Sequence, residues 1–178
     1  MKALSTEQEM LLSSLQELAE SEFAADAFEW EGEPPWPNIE LLAEQGFLGI
    51  NFDEEYGGAG MNELDTMLIN EAIGRVCPDT GAFLNSIHMV APRAIDMFGT
   101  EAAKEKYLPP LTEGDDYIAI CMSEPEAGSD VKSMNTTVEE ENGELVLNGE
   151  KTWVSRFEDA SAGVTWVKFP EGLGTVIV

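Results

Sequence analysis

Positive charge is what this sequence lacks. Its 178 residues hold 9 lysines and arginines against 35 aspartates and glutamates, a formal net charge of -26. A polyanion of that density repels nucleic-acid phosphates and anionic lipid headgroups, so neither nucleic acid nor a membrane surface is expected as a partner. The folded chain also repels itself, and salt relieves that repulsion over a screening length that falls to about 3 Å at 1 M. The balance points to a protein built for a high-salt interior, a halophile's; an acidic mesophilic protein is the alternative. Histidine is almost absent too. His88 stands alone in an apolar helical stretch, with no second ligand or nucleophile beside it, so a packed structural role is expected and a metal site is not. Cys77 and Cys121 have neither CxxC spacing nor a nearby histidine and read as buried thiols. No uncharged apolar run reaches about 18 residues, and no early segment joins a basic start to an apolar run. The expected location is cytoplasmic.

What is present is 43% apolar residue content, enough for a core, arranged in two grammars. Up to about residue 114 the periodicity is helical. Ser5 with Gln8, or Thr6 with Glu9, offers a capping box for a helix to about residue 28 with Leu11, Leu15, Leu18 and Ala19 on one face. After a proline-rich break at 31–37, residues 39–45 form a short helix stopped by Gly46. The glycine-rich 51–60 stretch is an irregular connection. Asn62 caps a helix whose stripe is Leu64, Leu68, Ala72 and Val76, widened by Met67 and Ile73. A central helix over 80–98 is kinked or divided at Pro92, and a short one from Thr100 to about Tyr107 ends at Pro109-Pro110. Met61, Met67, Met89 and Met97 fall at helical intervals and read as core filling.

From about residue 115 the runs become short and β-branched: 117–122, 135–140, 144–148, 152–155, 163–169 and 174–178, with Asn142-Gly143 and Asn148-Gly149 as hairpin signals. The expected fold class is α+β: an N-terminal all-helical domain, 1–114, followed by an incomplete antiparallel β-barrel or sandwich domain, 115–178. The apolar run Val176-Ile177-Val178 is a bare strand edge, and residues beyond Val178 or another chain are expected to complete the sheet.

Two segments of the β domain carry chemistry. In residues 120–130 an apolar strand ends at Met122-Ser123, Glu124-Pro125 stop it, and an Ala127-Gly128-Ser129-Asp130 turn leaves backbone N–H groups free. Trp153 and Ser155 supply a flat apolar surface with a hydroxyl next to it. A planar heteroaromatic with an anionic tail suits such a pair, provided both segments face one ligand. A tryptophan buried in the sheet core is the bland alternative. Glu124 and Asp130 read as turn-fixing acceptors of backbone N–H bonds rather than an acid–base pair.

At these residues the chain resembles a known family. Met122-Ser123-Glu124-Pro125-x-Ala127-Gly128-Ser129-Asp130-Val131 is similar to the flavin signature of the acyl-CoA dehydrogenases, and Asn148-Gly149-x-Lys151-x-Trp153-Val154-Ser155 to their second flavin segment. Glu55-Tyr56-Gly57-Gly58-Ala59-Gly60 and Phe98-Gly99-Thr100-Glu101, running on through Lys106-Tyr107-Leu108-Pro109, agree in order. The resemblance implies FAD as cofactor, with Ile120, Met122, Ser123, Gly128 and Ser129 on one side of it and Trp153, Val154 and Ser155 on the other. Met122 and Ser123 would bond the pyrimidine edge, Ser155 would reach N5, and Ser129 would also touch the acyl-CoA substrate.

The implied reaction, a step of fatty acid β-oxidation, takes an acyl-CoA thioester to the trans-2-enoyl-CoA, with hydride passing to flavin N5. The implied partners are an electron-transferring flavoprotein or similar acceptor and a homo-oligomer or complementing chain. The family's general base lies in a C-terminal helical bundle, so it is expected beyond Val178, no catalytic residue is assigned here, and the chain alone is expected to be inactive. Ser123 and Ser155 replace the commoner threonine, and Glu126, Arg156 and Phe157 depart from the family pattern. A catalytically silent assembly subunit and a related flavin oxidase or monooxygenase are the alternative functions.

The charge balance gives the first prediction. The melting temperature followed by circular dichroism should rise between 0.1 M and 2 M KCl; a melting temperature unmoved by salt would remove self-repulsion as a determinant of stability.

Overall fold

The computed structural model describes residues 4–178, which divide into two compact units between Asp115 and Asp116. The first is helical. Helix α1, Thr6–Glu22, starts at Ser5, whose hydroxyl accepts from Gln8 N while the Gln8 side chain accepts from Ser5 N. It stops at Glu22, short of residue 28, and Phe23 and Ala27, which continue the buried face of Leu15 and Ala19, are held by the turns that follow. Helix α2, Trp36–Glu44, has Pro37 in its first turn, where no N–H donor is required, and is followed by Gly46 at φ +73°. Asn62 caps α3, Glu63–Gly74, by accepting from Leu64 N and Asp65 N. Helices α4, Pro78–Met89, and α5, Ala91–Phe98, meet at Val90, and Pro92 sits in the first turn of α5, so the proline divides the helix.

The face of α3 differs from its apolar stripe. Leu64 and Met67 are exposed, and the buried residues are Thr66, Ile69, Asn70 and Ile73. Polar side chains can face a core when their bonds are met there: the Thr66 hydroxyl donates to Asn62 O, and Asn70 meets His88. Met97 is likewise exposed rather than core filling. Helix α3 approaches α4 so closely that a Cβ on Gly81 would lie 2.5 Å from Gly74 Cα. Helix α6, Glu101–Glu113, runs through Pro109 and Pro110 instead of ending there. The carbonyls those prolines leave without donors belong to Glu105 and Lys106, which face solvent, and the Thr112 hydroxyl bonds Pro109 O. The glycine-rich connection is pinned to α6 by Tyr56 Oη, which donates to Glu101 Oε2 at 2.8 Å.

The second unit is a mixed, unclosed sheet of five strands: β1, Ile118–Cys121; β2, Thr137–Glu141; β3, Glu144–Asn148; β4, Ala162–Phe169; and β5, Gly172–Ile177. β4 is the centre. It pairs with β5 antiparallel, and with β1 and the start of β2 parallel. The α+β class is as expected, while the parallel pairings depart from a purely antiparallel sheet because the long 122–161 connection carries the chain back before β4 begins. β2 and β3 form the hairpin signalled by Asn142-Gly143, both at positive φ. Asn148-Gly149 makes no hairpin, and residues 152–155 are irregular rather than a strand. Cys77 and Cys121 are buried free thiols. Among the described residues no helix is long and apolar enough to cross a membrane, and no cluster of side chains could hold a metal.

His88 is fully buried. Burial pushes its imidazolium down to about 4, only partly offset by the Phe47 carbonyl 3.0 Å from Nε2. A neutral ring donating from Nε2 to Phe47 O needs a donor at Nδ1. The Asn70 amide lies 3.2 Å from Nδ1, and its Nδ2 has no other partner, so the amide orientation that satisfies both groups turns Nδ2 toward Nδ1. A histidine pKa lowered on folding gives stability that is whole above the unfolded value near 6.5 and is lost as pH falls toward 4, amounting to roughly 3 kcal/mol. Urea unfolding at pH 7.5 and pH 4.5 should therefore show a larger loss for the parent chain than for His88→Gln. Equal losses would mean that His88 does not couple folding to protons.

Candidate functional site

The β unit brings the two motif segments into direct contact. β1 carries Ile120, half-buried, to the edge of the sheet, and the chain leaves it at Met122 and Ser123. Thr152 N donates to Ser123 O at 2.9 Å, so the later segment lies alongside the earlier one. Lys151 reaches across: its Nζ donates to Met122 O at 3.2 Å and to Glu124 Oε1 at 2.8 Å. The side chains of this ion pair are only 10% and 4% exposed. Glu124 also accepts the backbone N–H groups of Asn135 and Thr136. Burial pushes its carboxyl up, but the Lys151 ammonium, the Thr136 hydroxyl and those two amides outweigh it and hold the group at about 2. Glu124 thus accepts backbone N–H groups as its position suggested, but from Asn135 and Thr136 beyond the turn rather than from the turn itself. The Asp130 side chain is no such acceptor; it is exposed, and its main-chain carbonyl takes the bonds from Ser133.

The close approach of the segments depends on Gly149. A Cβ there would lie 2.3 Å from Thr136 Oγ1 and 2.6 Å from Thr136 Cα, so no other residue passes without moving the backbone. Beyond it the chain turns sharply, with Trp153 at φ +58° and Arg156 at φ +54°. Trp153 is not a core residue: it is 88% exposed. A left-handed backbone at a bulky residue costs on the order of 1–3 kcal/mol and is kept only where something compensates it. The indole itself gains little from the fold, so within this chain the compensation comes from the ties that set the backbone just before it, the Thr152 N bond to Ser123 O and the Lys151 bonds among them.

Trp153 borders an open cleft of about 480 Å³, whose walls include Cys121, Leu147, Lys151, Val154 and Phe157. Among the described residues the backbone N–H groups of Met122 and Ser123 make no hydrogen bond. The cleft is walled by apolar groups with Lys151, Thr152 and Thr165 among them and has a flat aromatic at its mouth; Ile120, Met122, Ser123 and Ser155 do not line it, and the free amide donors lie outside it, at the end of β1. A flat ring with acceptor atoms on one edge fits it. Gly128 and Ser129 stand apart, exposed just after the turn closed by Glu124 N to Ala127 O at 2.9 Å; neither lines the cleft, and a Cβ on Gly128 would meet open space. Ser155 is exposed beside Val154. Reading the sequence left out the Glu124–Lys151 clamp and the walls at Cys121, Leu147 and Phe157. A lysine two residues before Trp153 in so lysine-poor a chain was the available signal for the clamp; the walls had none.

Comparison with known proteins agrees with this architecture. The acyl-CoA dehydrogenase N-terminal domain profile matches residues 5–115 and the acyl-CoA dehydrogenase middle domain profile residues 119–178. Acryloyl-CoA reductase (NADH) of Anaerotignum propionicum is 38% identical over 157 residues, which is 86% of this chain and 40% of the reductase. The crystal structure of an acyl-CoA dehydrogenase from Geobacillus kaustophilus superposes with a TM-score of 0.88 at 28% identity, over 99% of this chain and 49% of that one. An FAD complex of PigA superposes with a TM-score of 0.90 at 25% identity, over 100% of this chain and 49% of that one. The chain thus spans less than half the length of these relatives.

If Trp153 is strained for the sake of a ligand, Trp153→Gly should raise the stability of the ligand-free chain by about 1 kcal/mol in urea unfolding, since glycine adopts that backbone freely and little buried area is lost. A destabilised Trp153→Gly chain would show that the indole serves the fold.

Proposed function

The chain belongs to the acyl-CoA dehydrogenase family, and on that premise we propose that its β unit forms one wall of an FAD site in an enzyme that desaturates an acyl-CoA thioester to the trans-2-enoyl-CoA. The observation that carries this reading is the exposed, left-handed Trp153 beside the unpaired Met122 and Ser123 amides. In this reading Trp153 covers the flat face of the ring, and Met122 and Ser123 donate to its pyrimidine edge. Val154 excludes water within the slot, Ile120 supports the site from outside the cleft lining, and the Ser155 hydroxyl serves N5. Gly128 and Ser129, outside the cleft, meet the more polar parts of cofactor and substrate, with Ser129 on the acyl-CoA. Bound there, FAD supplies hydride acceptance, which no side chain can.

In this reading the described residues orient and polarise, and the substrate proton goes to a base that the cleft lining does not supply. The cleft lining holds no carboxylate and no histidine. Glu124 is held at about 2 by its partners, and His88 lies in the helical unit, buried and neutral. We therefore assign the general base to residues outside this chain. Reduction of an enoyl-CoA at the same site is a second reading, favoured by the likeness to an NADH-dependent reductase. An electron-transferring flavoprotein as acceptor, a homo-oligomer or complementing chain, and a place in fatty acid β-oxidation rest on the family. A halophilic, cytoplasmic setting rests on the -26 charge.

In 2 M KCl the chain should purify with little flavin, bind added FAD with quenching of flavin fluorescence, lose that quenching in Trp153→Gly, and leave butyryl-CoA and octanoyl-CoA unoxidised in a dye-coupled assay. Absence of binding would remove the flavin reading. Turnover by the 178 residues alone would place the base within them, and NADH consumption with an enoyl-CoA would favour the reductive direction.

A further inference from the structure

The peptide group joining Met122 to Ser123 is held at one end only. Its carbonyl oxygen takes the Lys151 ammonium at 3.2 Å, while its N–H, on Ser123, has no partner among the described residues. The next peptide group is held at both ends: Ser123 O accepts from Thr152 N at 2.9 Å, and Glu124 N donates to Ala127 O at 2.9 Å. In a trans peptide the C=O and N–H point in opposite directions, so a bond to one fixes the direction of the other. A cationic donor on the oxygen also draws electron density from the amide nitrogen and makes its N–H a stronger donor.

We propose that Lys151 is a positioning residue of the site, which through the Met122 carbonyl aims and strengthens the Ser123 N–H toward the acceptor edge of the bound ring, and that Glu124 keeps the ammonium there by compensating its charge. Lys151 reaches no ligand atom by this route. It acts on the donor, and its own charge is neutralised by a carboxylate that is only 4% exposed. An N–H set in place before the ligand arrives costs no reorganisation on binding. The proposal rests on the flavin reading for the identity of the ligand, but the effect on the Ser123 amide exists without any ligand.

The test uses the 178-residue chain labelled with 15N as wild type, Lys151→Met, Lys151→Arg and the double variant Glu124→Gln/Lys151→Met. The last leaves no buried charge unpaired and keeps an amide oxygen for Thr136 N–H, so it remains informative if Lys151→Met fails to fold. The Ser123 amide proton shift is read without ligand, and the affinity for FAD by fluorescence titration. The double variant should fold but melt below the wild-type temperature, since one backbone amide and the Met122 carbonyl lose their partners, show the Ser123 proton moved upfield, and bind FAD about tenfold more weakly, with Lys151→Arg recovering much of both effects. A double variant with an unchanged Ser123 shift and unchanged FAD affinity would overturn the proposal and leave the pair a structural clamp. A Ser123 shift that responds as expected in a chain whose wild type binds no FAD would uphold the positioning role and reject the flavin reading.

Discussion

A lysine ammonium and a glutamate carboxylate, both almost withdrawn from water, hold the two loop segments of the β unit against each other, and the arrangement of the site depends on that pair. Taking two charges out of water is expensive, and attraction between them offsets the cost only when the remaining donors and acceptors are also satisfied. Here they are. The ammonium has Met122 O as a second acceptor, and the carboxylate has two backbone amides as further donors. The ion pair is therefore a three-way junction joining the end of β1, the entry to β2 and the 149–155 segment.

That junction explains how an exposed, strained tryptophan persists. Residues 149–152 are tied to the sheet by the Gly149–Thr136 approach, by Lys151 and by Thr152 N, so the chain reaches Trp153 with its direction already set. The left-handed turns at Trp153 and Arg156 follow within four residues, too tight a space for a strand to form. Rigidity behind the indole and openness in front of it are what a ligand platform requires, since the cost of ordering the platform is met in folding rather than in binding. The helical unit solves a different problem by similar means: burial keeps His88 neutral, and Asn70 on α3 and the Phe47 carbonyl meet its two ring nitrogens.

Much of the local structure was legible because it depends on near neighbours. The Ser5/Gln8 box, the Asn62 cap, the Asn142-Gly143 turn and the division at Pro92 each follow from residues within a few positions. Errors fell where distant groups decide. The buried face of α3 includes Thr66 and Asn70, whose polarity is answered by Asn62 O and His88. Helix α6 keeps two prolines because the stranded carbonyls face water. The 152–155 run has strand-like residues but has no strand partner, only the single tie from Thr152. β4 lies parallel to β1, which no local signal encodes.

The sequence by itself determined the order of helices before strands, the acidic character of the surface, and the two segments that carry the chemistry, because these are properties of composition, period and short motifs. Only the tertiary structure decided that the segments touch, that Glu124 and Lys151 join them, that Trp153 faces outward while Gly128 and Ser129 stand apart from the cleft, and that the Met122 and Ser123 amides at the end of β1 are left free. The physical reason is that each of these is a long-range pairing or an orientation of a backbone plane, fixed by groups far away in the chain and invisible to any window along it.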